Sequence, residues 1–135
     1  MEVLITSFNH TGEGIGRIDN KVIFVPKTIP GDIVLVKDIK DYKTYFKGNL
    51  DKIITPSVDR IDAICPYFNL CGGCCLMSIS YDKQLEYKKE KVKNILKRYA
   101  NIDYDLEIIK SPKQHQYRNK ITLQVNNGCL GLYQH

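Results

Sequence analysis

The stretch Gly14-Ile15-Gly16-Arg17-Ile18-Asp19-Asn20-Lys21-Val22-Ile23-Phe24-Val25 decides the fold of the N-terminal half of the chain. Its two strand-like runs flank Asp19-Asn20, a pair suited to a tight hairpin turn. Similar runs occupy residues 3–5, 33–39 and 44–54, and Pro30-Gly31 marks a further reversal. Five short strands in about 55 residues cannot form a wide sandwich. We therefore predict a small closed or nearly closed β-barrel, which leaves few exposed sheet edges.

The C-terminal half has the pattern of one helix followed by short strands. Apolar residues recur at helical spacing over residues 82–99, and Ser80 is a suitable N-cap. A short strand is predicted at residues 106–109, and residues 117–125 alternate between two faces, as a half-buried strand does. Asn127-Gly128 is a strong hairpin signal, after which residues 129–133 begin a returning strand. The predicted fold class is mainly β with one α-helix (α+β).

The composition is that of a soluble globular protein, with 43% hydrophobic and 26% charged residues in 135. No apolar run reaches the roughly 18 residues of a membrane span, so no membrane association is predicted. The N-terminus lacks the basic and long apolar regions of a secretory signal, which predicts a cytoplasmic protein. Structural disulfides are not expected in that reducing compartment, so the five cysteines need another explanation.

Positive charge is concentrated in the C-terminal half of the chain. Residues 82–98 hold seven Lys/Arg and three acids, and residues 110–120 hold four Lys/Arg and no acid. Each segment therefore carries +4 within a net charge of +5, which leaves −3 for the remainder. Residues 1–60 are nearly neutral, with nine Lys/Arg and eight acids. A basic face is typical of contact with nucleic-acid phosphates, although lysine-rich helices are often only solvated.

Three thiols lie within ten residues, in the pattern Cys65-x5-Cys71-Gly72-Gly73-Cys74. The spacing of Cys71 and Cys74 lets two sulfurs converge on one metal centre. Gly72 and Gly73 permit a turn with positive φ and allow backbone N–H groups to approach sulfur. Cys75 follows Cys74 directly, so its side chain should point away, and we leave it out of the ligand set.

Four interpretations of these thiols stay open on spacing alone. A [4Fe–4S] cluster takes four thiolates, commonly three close together and one distant, and the pattern favours it. Structural zinc usually takes two pairs of ligands, and no second Cys-x2-Cys or paired His is present. A redox dithiol would open a helix in a βαβ unit, which is not predicted. Buried, inert cysteines would need no ligand. Cys129 is one possible fourth ligand, although nothing in the pattern directs its side chain toward the others.

Landmarks along the whole chain resemble known families. The barrel half resembles a TRAM domain, a small OB-like RNA-binding β-barrel, through Gly14-Ile15-Gly16, Val25-Pro26, Pro30-Gly31-Asp32 and residues 56–60. The cysteine segment resembles the cluster segment of the bacterial RNA uracil-C5 methyltransferases, together with Tyr81, Gln84, Leu85 and Lys88. Two later segments resemble that family's central domain, namely Tyr117-Arg118-Asn119-Lys120 and Gly131-Leu132-Tyr133.

The resemblance implies an enzyme that uses S-adenosyl-L-methionine (AdoMet) to form 5-methyluridine in RNA, with 23S ribosomal RNA favoured over transfer RNA. It implies a TRAM-like β-barrel over residues 1–58 and a truncated iron–sulfur, RNA-binding central domain over residues 59–135. A [4Fe–4S] cluster would be bound by Cys65, Cys71 and Cys74, with the fourth ligand beyond His135. The Rossmann-like catalytic domain is absent, so no catalytic or AdoMet-binding residue is assigned, and AdoMet is expected only in a full-length protein.

For RNA contact we predict Arg118 and Lys120 first, followed by Lys110 and Lys113, and the alternative for each is a solvated strand face. A monomer is favoured. The alternative function is a free-standing TRAM-type RNA-binding module with a structural metal site and no catalysis. A TRAM-bearing radical-AdoMet enzyme is disfavoured because its Cys-x3-Cys-x2-Cys spacing differs from the spacing in this chain.

Overall fold

The computed structural model of the chain describes residues 1–133. Among these residues, 1–79 and 124–133 form one compact unit and 80–123 form another. The elements are eight strands and one helix: β1 (Glu2–Leu4), β2 (Ser7–Phe8), β3 (Gly14–Ile18), β4 (Lys21–Val25), β5 (Ile33–Asp41), β6 (Tyr45–Thr55), α1 (Tyr81–Ala100), β7 (Gln124–Asn126) and β8 (Cys129–Gly131). The predicted fold class, mainly β with one helix, is therefore confirmed.

The first six strands form one curled sheet in the order β1-β5-β6-β4-β3-β2. All neighbours are antiparallel except β4 and β6, which are parallel. The two ends of this order, β1 and β2, are consecutive in the chain and act as two pieces of one barrel strand. Gly16 of β3 lies so close to β1 that a Cβ there would be 2.3 Å from Val3 Cγ1. The sheet thus closes on itself, as an OB-like barrel does.

The core of the barrel comes from alternate positions of its strands, as a sheet with one buried face requires. It consists of Val3, Ile5, Ile23, Val25, Val34 and Val36, all nearly inaccessible to solvent. Asp19 and Asn20 both have positive φ, which confirms the predicted hairpin turn between β3 and β4. The strand β2 was not predicted, because two residues are too few to show an alternating pattern.

A buried ion pair joins the segment that follows β6 to the barrel. The Asp32 carboxylate is fully buried and accepts hydrogen bonds from Arg60 Nε at 3.0 Å and Nη2 at 2.5 Å. The backbone N–H groups of Ile29 and Ser57 donate to the same carboxylate, at 2.8 and 2.9 Å. Both oxygens are therefore fully engaged, as a buried charge requires.

In the second unit, the chain after α1 runs back along the helix from its C-terminal to its N-terminal end. Ion pairs mark this path: Lys93 to Asp103 at 3.4 Å, Lys89 to Asp105 at 2.8 Å, and Lys110 to Asp82 at 2.6 Å. The strand predicted at residues 106–109 is wrong, because no neighbouring strand pairs with this segment among the described residues. Side-chain pairs to the helix hold the segment instead.

The helix agrees with its prediction in position but not in packing. It spans Tyr81–Ala100 with Ser80 at the N-cap position, although the Ser80 side chain makes no capping hydrogen bond. Leu85 is buried, whereas Val92 and Ile95 on the same predicted apolar stripe are exposed. The described residues contain no helix long and apolar enough to cross a bilayer.

The strand predicted over residues 117–125 is also largely wrong, because only Gln124–Asn126 forms a strand. A strand needs a partner for its backbone groups, and the returning strand Cys129–Gly131 pairs with these three residues alone. Asn127 and Gly128 both have positive φ, which confirms the predicted turn between β7 and β8.

Candidate functional site

The three predicted cluster ligands lie on an irregular loop that is anchored to the barrel unit. Within this loop, the N–H of Phe68 donates to the Cys65 carbonyl at 3.1 Å, and that of Cys71 donates to Tyr67 at 2.8 Å. The Phe68 side chain is buried and acts as the apolar anchor of the loop. Cys65 and Cys71 are partly exposed and Cys74 is exposed, and all three are free thiols.

Lys27 connects the barrel to this cysteine loop, a role that sequence reasoning missed. Its ammonium group donates to the carbonyl oxygens of Cys71 at 2.8 Å and Cys74 at 2.6 Å. It also lies 4.3 Å from the centre of the Phe68 ring. Lys27 is buried and has a φ of 62°, a left-handed conformation that is uncommon outside glycine.

The cysteines form the electrostatic surroundings of Lys27. Burial lowers the pKa of its ammonium group, and the nearby thiols Cys74, Cys71, Cys75 and Cys65 act in the opposite direction. The buried ammonium group of Lys27 therefore lies among four thiols.

The glycine pair allows close packing of the Cys71–Cys74 turn, but not through positive φ, so that part of the prediction is wrong. The N–H of Gly73 donates to Cys71 Sγ at 3.3 Å, and the N–H of Gly72 donates to the Tyr133 carbonyl at 2.8 Å. A Cβ at Gly73 would lie 2.8 Å from Leu132 Cδ1 and 3.4 Å from Cys71 Sγ. The pair therefore lets the turn pack against the chain that follows β8.

Cys75 faces a different neighbour, the loop between β2 and β3. A Cβ at Gly12 would lie only 2.8 Å from Cys75 Sγ, so glycine is required there for contact. Cys75 also lines a cavity of about 320 Å³ together with Glu13, Lys27 and Lys47. The Cys75 side chain therefore packs between the cysteine loop and the barrel.

Thiols are the donor type that iron–sulfur clusters take, but the structure does not bring these side chains together as a metal site. Within residues 1–133, no three His, Cys, Asp or Glu side chains are arranged to hold one metal ion. In a [4Fe–4S] cluster each thiolate binds a different iron, so its ligands lie farther apart than those of one ion. The thiols and the Gly73 N–H beside Cys71 Sγ are groups that can ligate such a cluster and tune it. Cluster binding by Cys65, Cys71 and Cys74 stays a prediction.

The four predicted RNA-contacting residues have different surroundings in the second unit. Arg118 and Lys120 are exposed and form no ion pair with any residue in the described range. Lys110 is paired with Asp82, and Lys113 is exposed beside Ser111. The helix residues Lys89, Lys93 and Lys97 are paired with Asp103 or Asp105, which offsets much of the positive charge predicted for α1.

Comparisons with known proteins agree with the barrel and with its continuation. Residues 1–50 match the family model of the TRAM domain. A Clostridium tetani protein named as an uncharacterized RNA methyltransferase is 43% identical over 90% of this chain and 26% of its own length. A Schizosaccharomyces pombe tRNA (uracil(54)-C(5))-methyltransferase is 40% identical over 90% of this chain and 25% of its own length.

A solved structure has the same fold as nearly all of this chain. It is the Pyrococcus abyssi tRNA (uracil-54, C5)-methyltransferase in complex with S-adenosyl-L-homocysteine, with a TM-score of 0.69 and 30% sequence identity. The match covers 98% of this chain and 29% of that one. The chain thus spans less than a third of the length of these relatives. It carries a TRAM domain and is homologous, over nearly all of its own length, to part of the RNA methyltransferases, which confirms the family resemblance.

Proposed function

We propose that this chain is the RNA-binding and [4Fe–4S]-binding part of a cytoplasmic AdoMet-dependent methyltransferase that forms 5-methyluridine in RNA. The homology to proteins named RNA methyltransferases, together with the TRAM domain, carries the proposal. The uracil-C5 chemistry is supported by the two relatives whose names specify it. None of the residues of this chain is assigned to catalysis or to AdoMet binding.

The class of RNA follows from two opposing considerations. The family resemblance favours 23S ribosomal RNA for members that carry a cluster, and this stays our prediction. The two relatives with a named substrate act on uracil 54 of tRNA. Methylation of a 23S rRNA fragment and of a tRNA transcript by the full-length protein distinguishes the two, and incorporation into tRNA alone would overturn the ribosomal prediction.

In the reaction, this chain would hold the RNA while the target uracil is flipped out of the base stack. A uracil becomes reactive at C5 after a thiolate adds at C6, and the resulting enolate takes the methyl group. A base then removes the C5 proton, and the thiolate is expelled from C6. The surrounding RNA must be held through shape, stacking and phosphate contacts during these steps. The TRAM barrel and the exposed pair Arg118 and Lys120 are suited to that role.

The cluster would be held by Cys65, Cys71 and Cys74. When bound, it cross-links these thiolates and so fixes the irregular loop on which they lie. Lys27 would place a positive charge beside the anionic thiolates, and Gly73 would retain its N–H···S contact. The fourth ligand would lie beyond His135, as the family resemblance implies, and the alternative within the chain is Cys129.

Anaerobic reconstitution tests the cluster directly. The chain is incubated with iron, sulfide and a small thiol, which can complete the coordination. We expect absorbance near 400 nm that bleaches on reduction, with about four iron and four sulfide per chain. Purification with stoichiometric zinc and no iron uptake would favour the alternative function, a TRAM-type RNA-binding module with a structural metal and no catalysis.

A charge-removal experiment tests the predicted RNA contacts. Replacing both Arg118 and Lys120 by Ala is expected to weaken RNA binding and to reduce the slope of log K against log salt by about 1 to 2, because about 0.7 counterions are released per phosphate contact. The measurement is fluorescence anisotropy of a labelled RNA hairpin between 50 and 200 mM salt. A matched control removes the same charge from the barrel through Lys37→Ala with Lys52→Ala. An unchanged slope in the Arg118 and Lys120 variant would exclude both residues from the interface.

A further inference from the structure

Three aromatic rings lie together at the turn between β5 and β6, two of them stacked and the third packed edge-on. The rings of Tyr42 and Tyr45 are parallel, with centroids 4.8 Å apart and an interplanar angle of 12°. Phe24 of β4 meets Tyr45 edge-on from below at 5.4 Å. Tyr42 is the outermost ring and is 42% exposed. The stack therefore ends in an aromatic side chain that is open to solvent.

The turn holds this outer ring in a fixed position. The N–H of Tyr42 donates to the Tyr45 carbonyl at 2.8 Å, and the N–H of Tyr45 donates to the Tyr42 carbonyl at 3.2 Å. These two hydrogen bonds close the hairpin between the two residues, and stacking on Tyr45 orders the Tyr42 ring. Because the ring is already ordered, a ligand that stacks on it would lose little additional conformational entropy on binding.

We propose that the Tyr42 ring is a binding site for one unpaired RNA base, which extends the stacked pair of Tyr45 and Tyr42 by one ring. Single-stranded RNA is commonly bound by stacking its bases on aromatic side chains. The site rests on the proposed function, since it needs RNA as the ligand. It assigns the TRAM barrel a specific contact that neither the sequence motifs nor the relatives' names provide.

The position of the turn in the barrel supports this assignment. Since β1 and β2 are two pieces of one strand, the β5–β6 turn is the connection between the fourth and fifth strands of an OB-like barrel. The parallel pairing of β4 with β6 places Phe24 beside that connection. In OB-folds this loop and the face of the second and third strands bind oligonucleotides, and Phe24 lies on the third strand.

The charge of the barrel indicates stacking rather than phosphate binding. Residues 1–60 carry nine Lys/Arg and eight acids. Lys21, which lies next to the stack, is paired with Asp41 and covers the Phe46 ring at 4.3 Å. Contact through Tyr42 should therefore be nearly independent of salt, in contrast to contact through Arg118 and Lys120.

The experiment compares Tyr42→Leu, which removes the aromatic ring, with Tyr42→Phe, which keeps it. The probes are a fluorescein-labelled RNA hairpin with an unpaired uridine loop and a fully paired RNA duplex of equal length. Loss of one stacked base corresponds to about 5- to 100-fold in affinity. We expect that loss for Tyr42→Leu on the hairpin, by the same factor at 50 and 200 mM salt, with Tyr42→Phe close to the unmodified chain and the duplex unaffected.

Three other outcomes would overturn the proposed site. If the unmodified chain binds the hairpin and Tyr42→Leu binds it equally well, the site is overturned while the proposed function stands. If Tyr42→Phe loses as much affinity as Tyr42→Leu, the hydroxyl group makes the contact and stacking is overturned. If the unmodified chain binds neither probe, RNA binding by this chain fails, and the site fails with it.

Discussion

Replacing Cys71 by Ser is expected to abolish cluster binding, with iron and sulfide falling from about four per chain to near zero and the absorbance near 400 nm disappearing. Cys71 is the central member of the predicted ligand set: it accepts the Gly73 N–H at 3.3 Å, and its carbonyl accepts the Lys27 ammonium. A serine hydroxyl is a poor replacement because iron–sulfur clusters bind thiolates and a hydroxyl stays protonated near neutral pH. Iron and sulfide analysis after anaerobic reconstitution measures the loss.

The matched control for this experiment is the neighbouring thiol, Cys75. It packs against Gly12 on the barrel side of the loop, so Cys75→Ser should retain the cluster and change the absorbance little. Thermal unfolding of both variants shows whether the barrel stays folded without the cluster. Full iron content in Cys71→Ser, or equal loss in the two variants, would remove Cys71 from the ligand set.

Local features of the fold were predictable because short-range chemistry decides them. Two tight turns, Asp19-Asn20 and Asn127-Gly128, have positive φ, because Asp, Asn and Gly tolerate this conformation better than other residues. The helix Tyr81–Ala100 follows from a pattern long enough to be unambiguous. Five strands of the barrel, β1 and β3 to β6, were predicted within two residues of their observed bounds.

Features that depend on distant parts of the chain were not predictable. Residues 117–125 alternate cleanly, yet a pattern cannot say whether a partner strand is available, and only three residues of the segment pair. Lys27 is 44 residues from Cys71 in sequence, and nothing around it indicates a contact with the cysteine loop. Only the structure shows that Lys27 is unusual, through a left-handed backbone conformation at φ 62°.

The candidate site shows the same division. The metal centre predicted from three closely spaced cysteines stays a prediction, and the sequence did not reveal the Lys27 ammonium group among them. The aromatic stack combines residues from two strands and a turn, so no single motif contains it. The alternation placed Arg118 and Lys120 on the face opposite to Tyr117 and Ile121, but the strand does not form there and the side chains of both faces are exposed.

Replacing Asp32 by Asn is expected to destabilise the barrel by about 3–5 kcal/mol, the usual cost of breaking a buried ion pair. The carboxylate is fully buried and accepts four hydrogen bonds, so an amide group would turn an NH₂ toward existing donors. Arg60, of which only 16% of the side chain is exposed, would keep a positive charge without its counter-ion. The free energy of unfolding from a reversible urea titration measures the effect, which corresponds to a fall in melting temperature of about 10–20 °C.

Asp51→Asn provides the comparison, because it removes a carboxylate from a surface pair on the same barrel. Asp51 lies 3.0 Å from Lys37, and both side chains are more than a third exposed, so the expected loss is about 0–1 kcal/mol. A second variant, Asp32→Asn with Arg60→Met, removes the stranded charge and should recover part of the stability. If Asp32→Asn were no more destabilising than Asp51→Asn, the Asp32–Arg60 pair would not be what fastens residues 57–60 to the barrel. The motif Pro30-Gly31-Asp32 would then owe its role to the turn alone, in which Gly31 has a φ of 91°.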